Sequence, residues 1–132
     1  MAEEQRPKQL MNRLLVVDDD HDLAQSLAEM LTYENCAVDT AGNGMEALEQ
    51  MRMVHYDAII SDMSMPHMDG EKLHYEVAKE FPYLADRFVF ITGHLEWRGN
   101  LMDFAERTGN ILLTKPFAAE QLLAAVKGVL RR

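Results

Sequence analysis

Four short runs of continuous apolar residues recur along the chain, and polar residues follow each of them. The runs lie at 14–17, 58–60, 88–91 and 111–113, and a weaker strand candidate lies at 37–41. Continuous apolarity over so few residues is typical of strands that are buried on both faces. Strands of this kind that alternate with helices form a parallel sheet with helices on both sides. The sequence therefore predicts an α/β fold.

The segments between these runs place apolar residues three and four positions apart, which indicates amphipathic helices. The spacing predicts helices over 23–35, 46–54, 71–81, 101–108 and 122–130. Five strand–helix units fit a flavodoxin-like, doubly wound (βα)5 fold, in which a five-stranded parallel sheet has the order 2-1-3-4-5. We therefore expect ligands to bind beyond the carboxyl ends of the strands.

Length and composition bound the organisation of the chain. Its 132 residues predict one domain, over 13–132, preceded by a polar N-terminal arm or linker at 1–12. A single cysteine, Cys36, excludes an intramolecular disulfide and fits a reducing cytoplasm, where we expect the protein. No apolar run approaches the roughly 20 residues of a membrane span. The net charge of −9 argues against direct binding of nucleic acid.

Polar side chains suited to phosphoryl chemistry stand at the predicted strand ends. Three aspartates at 18–20 follow the first strand, Asp62 the third, Thr92 the fourth, and Lys115 the fifth. Clustered carboxylates repel each other, and a hard divalent cation such as Mg²⁺ or Mn²⁺ relieves that repulsion. A lysine and a hydroxyl beside such an ion suit a phosphoryl group, and a carboxylate next to the metal can act as the nucleophile.

These residues lie in five motifs: LLVVDDD at 14–20, AGNGMEAL at 41–48, YDAIISDMSMPHMDG at 56–70, FVFITG at 88–93 and LLTKPF at 112–117. In this order they resemble the receiver domain of two-component response regulators, over residues 14–130. The resemblance implies a phosphoacceptor module of a histidine–aspartate phosphorelay. In it Asp62 accepts a phosphoryl group from a phosphohistidine, while Thr92 and Lys115 each contact a phosphoryl oxygen.

The resemblance also implies a metal site and partners. Mg²⁺ would be held directly by Asp19, Asp62 and the backbone carbonyl of Ser64, with Asp18 holding metal-bound water, and the bond between Lys115 and the proline after it would be cis. The expected donor is a sensor histidine kinase or a histidine phosphotransfer protein, and the family pattern is compatible with a homodimer. Such a module assists its own phosphorylation and dephosphorylation and is not an enzyme acting on free metabolites.

The chain departs from the family pattern near the site. Leu112 stands three positions before the lysine, where receivers usually carry the aromatic residue of their conformational readout. The segment TGNILLTKPF at 108–117 resembles receivers attached to hybrid histidine kinases more than DNA-binding regulators. Ser64 and His94 flank the site two positions after Asp62 and Thr92, and we expect them to tune hydrolysis of the acyl phosphate.

Other interpretations of the same residues are weaker. Asp18 and Asp20 match the Asp-x-Asp of haloacid-dehalogenase-type phosphatases, in which Asp18 would be the nucleophile, but the acidic pair expected after the fourth strand is absent. A non-phosphorylated interaction module is disfavoured because every residue of the chemical set is present. The glycines at 42 and 44 loosely match a dinucleotide fingerprint, and the aspartates from 18 onward loosely match a calcium loop that lacks its glycine.

Two further expectations concern residues outside this set. The five histidines share no ligand spacing, so we expect them at the surface or in loops. The methionines are expected mainly to fill the core, with Met63, Met65 and Met68 as candidates for presentation to a partner.

Overall fold

The computed structural model describes residues 11–65, 68–93 and 98–132. Within this part of the chain five strands alternate with five α-helices: β1 (Asn12–Val17), α1 (His21–Thr32), β2 (Cys36–Ala41), α2 (Gly44–Met53), β3 (Ala58–Asp62), α3 (Gly70–Glu80), a 3-10 turn (Pro82–Leu84), β4 (Phe88–Thr92), α4 (Arg98–Thr108), β5 (Ile111–Thr114) and α5 (Ala119–Leu130). The sheet is parallel, with the order β2-β1-β3-β4-β5. The predicted fold class and strand order are confirmed.

The two faces of the sheet carry separate apolar clusters, because successive side chains of a strand point to opposite faces. Leu15 and Val17 belong to the cluster under α2, α3 and α4, whereas Leu14 and Val16 belong to the cluster under α1 and α5. Every residue of the central strands β3 and β4 is buried. None of the helices in the described ranges has both the length and the apolar composition that a bilayer span requires.

The ends of the elements differ from prediction by a few residues. β1 begins at Asn12, which pairs with Cys36, so the sheet reaches one residue into the predicted arm. α4 begins at Arg98, three residues before the predicted start. Residues 1–10 lie outside the described ranges, and the division between arm and domain stays a prediction.

The connections after β1, β2 and β3 are fixed by side-chain caps on the helices that follow. Asp20, Asn43 and Asp69 each accept a hydrogen bond from the backbone N–H three residues further on, at 3.1, 2.8 and 2.9 Å. Such caps satisfy N–H groups that a helix leaves without an internal partner. Three connections at the carboxyl edge of the sheet are thereby tied to their helices.

One histidine contradicts the expectation of surface placement, because His74 is buried in α3. Its Nε2 hydrogen-bonds the carbonyl oxygen of Ala85 at 2.8 Å. Its ring makes edge contacts with Phe88, Phe90 and Phe104, at centroid distances of 5.1, 6.0 and 5.4 Å. A satisfied ring nitrogen removes much of the cost of burying an imidazole. His74 is therefore a core residue, whereas His67 and His94 lie outside the described ranges.

Asn110 links β4 to the 3-10 turn and to the end of α4. Its Oδ1 accepts a hydrogen bond from the N–H of Phe88 at 2.8 Å, and its Nδ2 donates to the carbonyl of Ala85 at 2.9 Å. Asn110→Ala is expected to lower the free energy of unfolding by about 2–3 kcal/mol, because the buried N–H of Phe88 loses its acceptor. Urea denaturation measures this loss, with Asn100→Ala at an exposed position of α4 as the control. A loss no larger than that of the control would contradict the assignment.

Candidate functional site

Three aspartates meet at the carboxyl edge of the sheet. A carboxylate oxygen from each of Asp18, Asp19 and Asp62 lies within 4.8 Å of those of the other two. Asp18 and Asp62 are buried, at 3% and 8% exposure, whereas Asp19 is exposed. The sheet register explains the convergence, because Val17 of β1 pairs with Ser61 of β3 and an aspartate directly follows each of these residues.

Burial makes the charged forms of the two buried carboxyl groups costly. It raises the pKa of Asp62 to about 6, and the neighbouring charge of Asp18 acts in the same direction, while Lys115 and the N–H of Ser64 act against it. Burial also raises the pKa of Asp18, against a hydrogen bond of 2.9 Å from the N–H of Asp20. The site therefore concentrates negative charge that a bound cation would stabilise.

Thr92 ends β4 at the same edge, and Lys115 directly follows the neighbouring strand β5. Thr92 is the last residue of β4 and is fully buried. It pairs with Thr114 of β5, and the N–H of Lys115 donates to the carbonyl oxygen of Thr92 at 2.8 Å. The charge of Lys115 acts on the carboxyl groups of both Asp18 and Asp62. The peptide bond between Lys115 and the following proline is cis.

In the connection after Asp62, the described residues at 63–65 and 68–69 comprise three buried methionines and two exposed polar residues. Met63, Met65 and Met68 are 6%, 8% and 8% exposed and pack into the core cluster under α2, α3 and α4. Their predicted presentation to a partner is therefore wrong. The flexible methionine side chains fill the space beneath the connection instead. Ser64 is exposed between two of them, and its N–H lowers the pKa of the Asp62 carboxyl group.

A cleft of about 280 Å³ opens beside the aspartates, and Asp18, Asp19, His21, Thr40 and Glu46 are among the residues that line it. His21 and Glu46 are not among the residues that the sequence predicts for the site. His21 follows the three aspartates directly, and that proximity in the chain was the available signal. Glu46 lies in α2, after the edge strand β2, and only the folded arrangement brings it to the cleft.

The glycines of the loose dinucleotide fingerprint belong to the start of α2. The N–H of Gly42 donates to Oε1 of Glu46 at 3.0 Å, and the N–H of Glu46 donates to Oδ1 of Asn43 at 2.8 Å. These two bonds form a helix cap in which side chains satisfy N–H groups locally. The cap thus uses two backbone N–H groups that a phosphate-binding loop would direct at its ligand, so the structure disfavours nucleotide binding here.

The raised pKa of Asp62 predicts a pH dependence of stability. Between the unfolded value of 3.8 and the folded value of about 6, the folded state binds more protons than the unfolded state. The free energy of unfolding of the metal-free protein should therefore fall by about 1–3 kcal/mol as the pH rises from about 4 to about 7. Asp62→Asn removes this ionisation, so the variant should be the more stable protein at neutral pH.

Urea denaturation in EDTA at several pH values measures the difference. Asp103→Asn, on the exposed face of α4, provides the control for a general change in net charge. Equal stability of wild type and Asp62→Asn near neutral pH, together with parallel pH profiles, would show that burial of Asp62 does not govern this dependence.

Comparison with known proteins assigns the fold and the motifs to one family. The family model of the response regulator receiver domain matches residues 14–127. A response regulator receiver protein of Anaeromyxobacter sp. (strain Fw109-5) is 38% identical over 114 residues, which cover 86% of this chain and 46% of that protein. The chain spans about half the length of the curated relatives that it matches.

Two solved structures share the architecture. The response regulator TrrA from Thermotoga maritima, crystallised in complex with Mg²⁺–BeF, is 30% identical with a TM-score of 0.78 and covers 90% of this chain and 99% of its own. The chemotaxis protein CheY4 of Vibrio cholerae is 29% identical with a TM-score of 0.80, with coverages of 90% and 98%. The chain belongs to the response regulator receiver domain family of two-component signal transduction.

Proposed function

We propose that the chain is the phosphoacceptor module of a histidine–aspartate phosphorelay, with Asp62 as the acceptor. The observation that carries this proposal is the convergence of the carboxylates of Asp18, Asp19 and Asp62 within 4.8 Å at the edge of the sheet. Asp62 ends a fully buried strand, and Lys115 supplies a positive charge that acts on its carboxylate. A nucleophile, a metal-binding acid cluster and a cation are the parts that phosphoryl transfer to a carboxylate requires.

The residues present fit a hard divalent cation. Asp18, Asp19, Asp62 and the backbone carbonyl of Ser64 would hold Mg²⁺, or Mn²⁺, because all-oxygen donor sets favour these ions. The raised pKa values of the two buried aspartates reflect burial and mutual repulsion, which a cation would offset. TrrA, which shares this fold, was crystallised in complex with Mg²⁺–BeF, and this supports metal binding by the chain. When bound, the metal would neutralise charge on the phosphoryl oxygens.

Asp62, Lys115 and Thr92 each have a role in the phosphoryl transfer. A carboxylate oxygen of Asp62 attacks the phosphorus atom of a phosphohistidine, and the phosphorus–nitrogen bond breaks in the same displacement. The ammonium group of Lys115 pairs with one phosphoryl oxygen, and the hydroxyl of Thr92 donates to another. Water later hydrolyses the aspartyl phosphate, so the phosphorylated state is transient.

We propose a sensor histidine kinase or a histidine phosphotransfer protein as the donor. The module changes partner affinity when phosphorylated, as charge-driven switches do. Leu112 is partly buried against the core cluster under α2, α3 and α4. A leucine has no aromatic ring, so the readout at this position cannot use the rotation of an aromatic side chain. This departure favours a receiver of the hybrid-kinase type over a DNA-binding regulator.

Intact-mass spectrometry after incubation with acetyl phosphate and Mg²⁺ tests the proposal. Wild type should gain one phosphoryl group, and the adduct should be absent in EDTA. Asp62→Asn should gain none, whereas the surface control Asp103→Asn should behave like wild type. A folded wild-type protein that binds Mg²⁺ and gains no phosphoryl group from acetyl phosphate or from a phosphohistidine donor would contradict the proposed function.

A further inference from the structure

Two glycines stand where methionines of the connection after Asp62 approach neighbouring helices. Gly44 is the first residue of α2, and Gly70 is the first residue of α3; both are buried. A Cβ atom on Gly44 would lie 2.5 Å from Sδ and 2.9 Å from Cγ of Met68, and one on Gly70 would lie 2.6 Å from Sδ of Met63. Nonbonded atoms of this kind prefer about 3.5–4.0 Å. A side chain at either position would therefore force the facing methionine to shift.

The contact at Gly70 also involves the backbone of the acceptor itself. A Cβ atom there would lie 3.0 Å from Cα of Met63 and 3.1 Å from the carbonyl oxygen of Asp62. The N–H of Gly70 donates to the carbonyl oxygen of Met63 at 3.1 Å, which closes the connection onto the start of α3. Backbone atoms cannot rotate aside as a flexible side chain can. A side chain at Gly70 would therefore displace the residue that carries the nucleophile.

Space, and not backbone conformation, accounts for these glycines. Neither Gly44 nor Gly70 has a positive φ, so an L-residue could adopt either backbone conformation. Alanine also forms helices more readily than glycine. Helix formation alone would thus favour alanine at both positions, and the close approach of the two methionines is the feature that opposes it.

The buried methionines hold Ser64 in place, and we assign the backbone carbonyl of Ser64 to the metal site. Ser64 is exposed between the buried side chains of Met63 and Met65, and its N–H acts on the pKa of the Asp62 carboxyl group. Because Met63, Met65 and Met68 are anchored in the core, the depth at which they pack sets the position of the backbone at Ser64 relative to Asp62. A shift of the methionines would move a metal ligand and the acceptor together.

We propose that Gly44 and Gly70 are positioning residues of the site. The space that they leave accommodates Met68 and Met63, and these side chains hold the connection after β3 in place. The position of this connection aligns Ser64 with the carboxylate of Asp62. This inference rests on the proposed Mg²⁺-dependent function. The residues act through the connection and do not themselves touch the reacting atoms.

Gly44→Ala and Gly42→Ala form a matched pair of variants for the test. No atom lies within 4 Å of a Cβ placed on Gly42, although it is only two residues from Gly44. Gly44→Ala should weaken Mg²⁺ binding about tenfold in isothermal titration calorimetry, as loss of a supporting contact around a metal site typically does. It should also speed amide hydrogen exchange at 63–65 and 68–69 in the metal-free protein. Gly42→Ala should match wild type in both measurements.

Removal of the opposing side chain separates positioning from general damage. Met68→Ala should lower Mg²⁺ affinity less in Gly44→Ala than in wild type, because the new methyl group no longer meets the methionine side chain. Gly70→Ala should also weaken Mg²⁺ binding, but Met63→Ala should not rescue it, because the contacts with Cα of Met63 and the carbonyl of Asp62 remain. Additive effects of Gly44→Ala and Met68→Ala would overturn the positioning role.

Wild-type affinity together with wild-type exchange in Gly44→Ala would also overturn the inference. If Gly44→Ala does not fold, amide hydrogen exchange in Met68→Ala provides the test. Loss of the anchoring side chain should speed exchange at 63–65, and wild-type protection of these residues would overturn the inference. If wild type does not bind Mg²⁺, the proposed function fails. The exchange comparison between Gly44→Ala and Gly42→Ala in metal-free protein still decides whether Gly44 positions the connection.

Discussion

Removal of divalent metal is expected to lower the rate of phosphoryl uptake by a factor of about 10³ or more. The carboxylates of Asp18, Asp19 and Asp62 lie within 4.8 Å of one another, and an incoming phosphoryl group adds further negative charge. Lys115 alone cannot offset this charge, because burial and repulsion already raise the pKa of Asp62 to about 6 in its presence. The rate of adduct formation in Mg²⁺ and in EDTA measures the effect.

The substitution Asp19→Asn tests the same metal dependence by changing a proposed ligand instead of removing the metal. Asp19 is the exposed member of the three, so its replacement should leave the fold unchanged while weakening Mg²⁺ binding about 10–100-fold. Asp20→Asn is the matched control, because asparagine also caps a helix and Asp20 is outside the proposed ligand set. Phosphoryl uptake at the wild-type rate in EDTA would contradict the assigned role of the aspartates.

Lys115→Ala is expected to slow phosphoryl uptake by about 10²–10³-fold, the cost of removing one preorganised donor from a charged transition state. The fold should survive, because the strand pairing of β5 runs through Ile111–Thr114 and the N–H that bonds Thr92 belongs to the backbone. Lys127→Ala, in the exposed part of α5, is the control for loss of one positive charge.

Uptake kinetics by intact mass and circular dichroism together test the role of Lys115. A folded Lys115→Ala protein with slow uptake agrees with it. A largely unfolded variant whose folded fraction takes up phosphoryl groups at the wild-type rate would instead make Lys115 a structural residue.

The central strands were predictable because burial on both faces leaves a simple pattern. β3 and β4 are wholly buried and read as apolar runs in the sequence. The start of β1 was not predictable in this way, because Asn12 and Arg13 join the sheet through backbone pairing with β2, which places no demand on apolar side chains. The start of α4 was missed because a glycine and an asparagine at 99–100 interrupt its apolar spacing.

The location of the site was also predictable, since the carboxyl ends of parallel strands share one edge. What the chain alone does not reveal depends on packing between distant elements. Met63, Met65 and Met68 are buried because α2 and α3 enclose them, and glycines at the start of those helices leave the space. His74 is buried because a turn eleven residues further on presents the carbonyl of Ala85 to its ring.

The most direct test of the central claim is to identify the residue that carries the phosphoryl group. Borohydride reduces an acyl phosphate to an alcohol, so a phosphorylated aspartate becomes homoserine at its own position in the chain. After phosphorylation in Mg²⁺, tandem mass spectrometry should find homoserine at Asp62 in wild type and nowhere in Asp62→Asn. Homoserine at Asp18 would instead place the nucleophile on the first strand, as in a dehalogenase-type phosphatase, and would contradict the account.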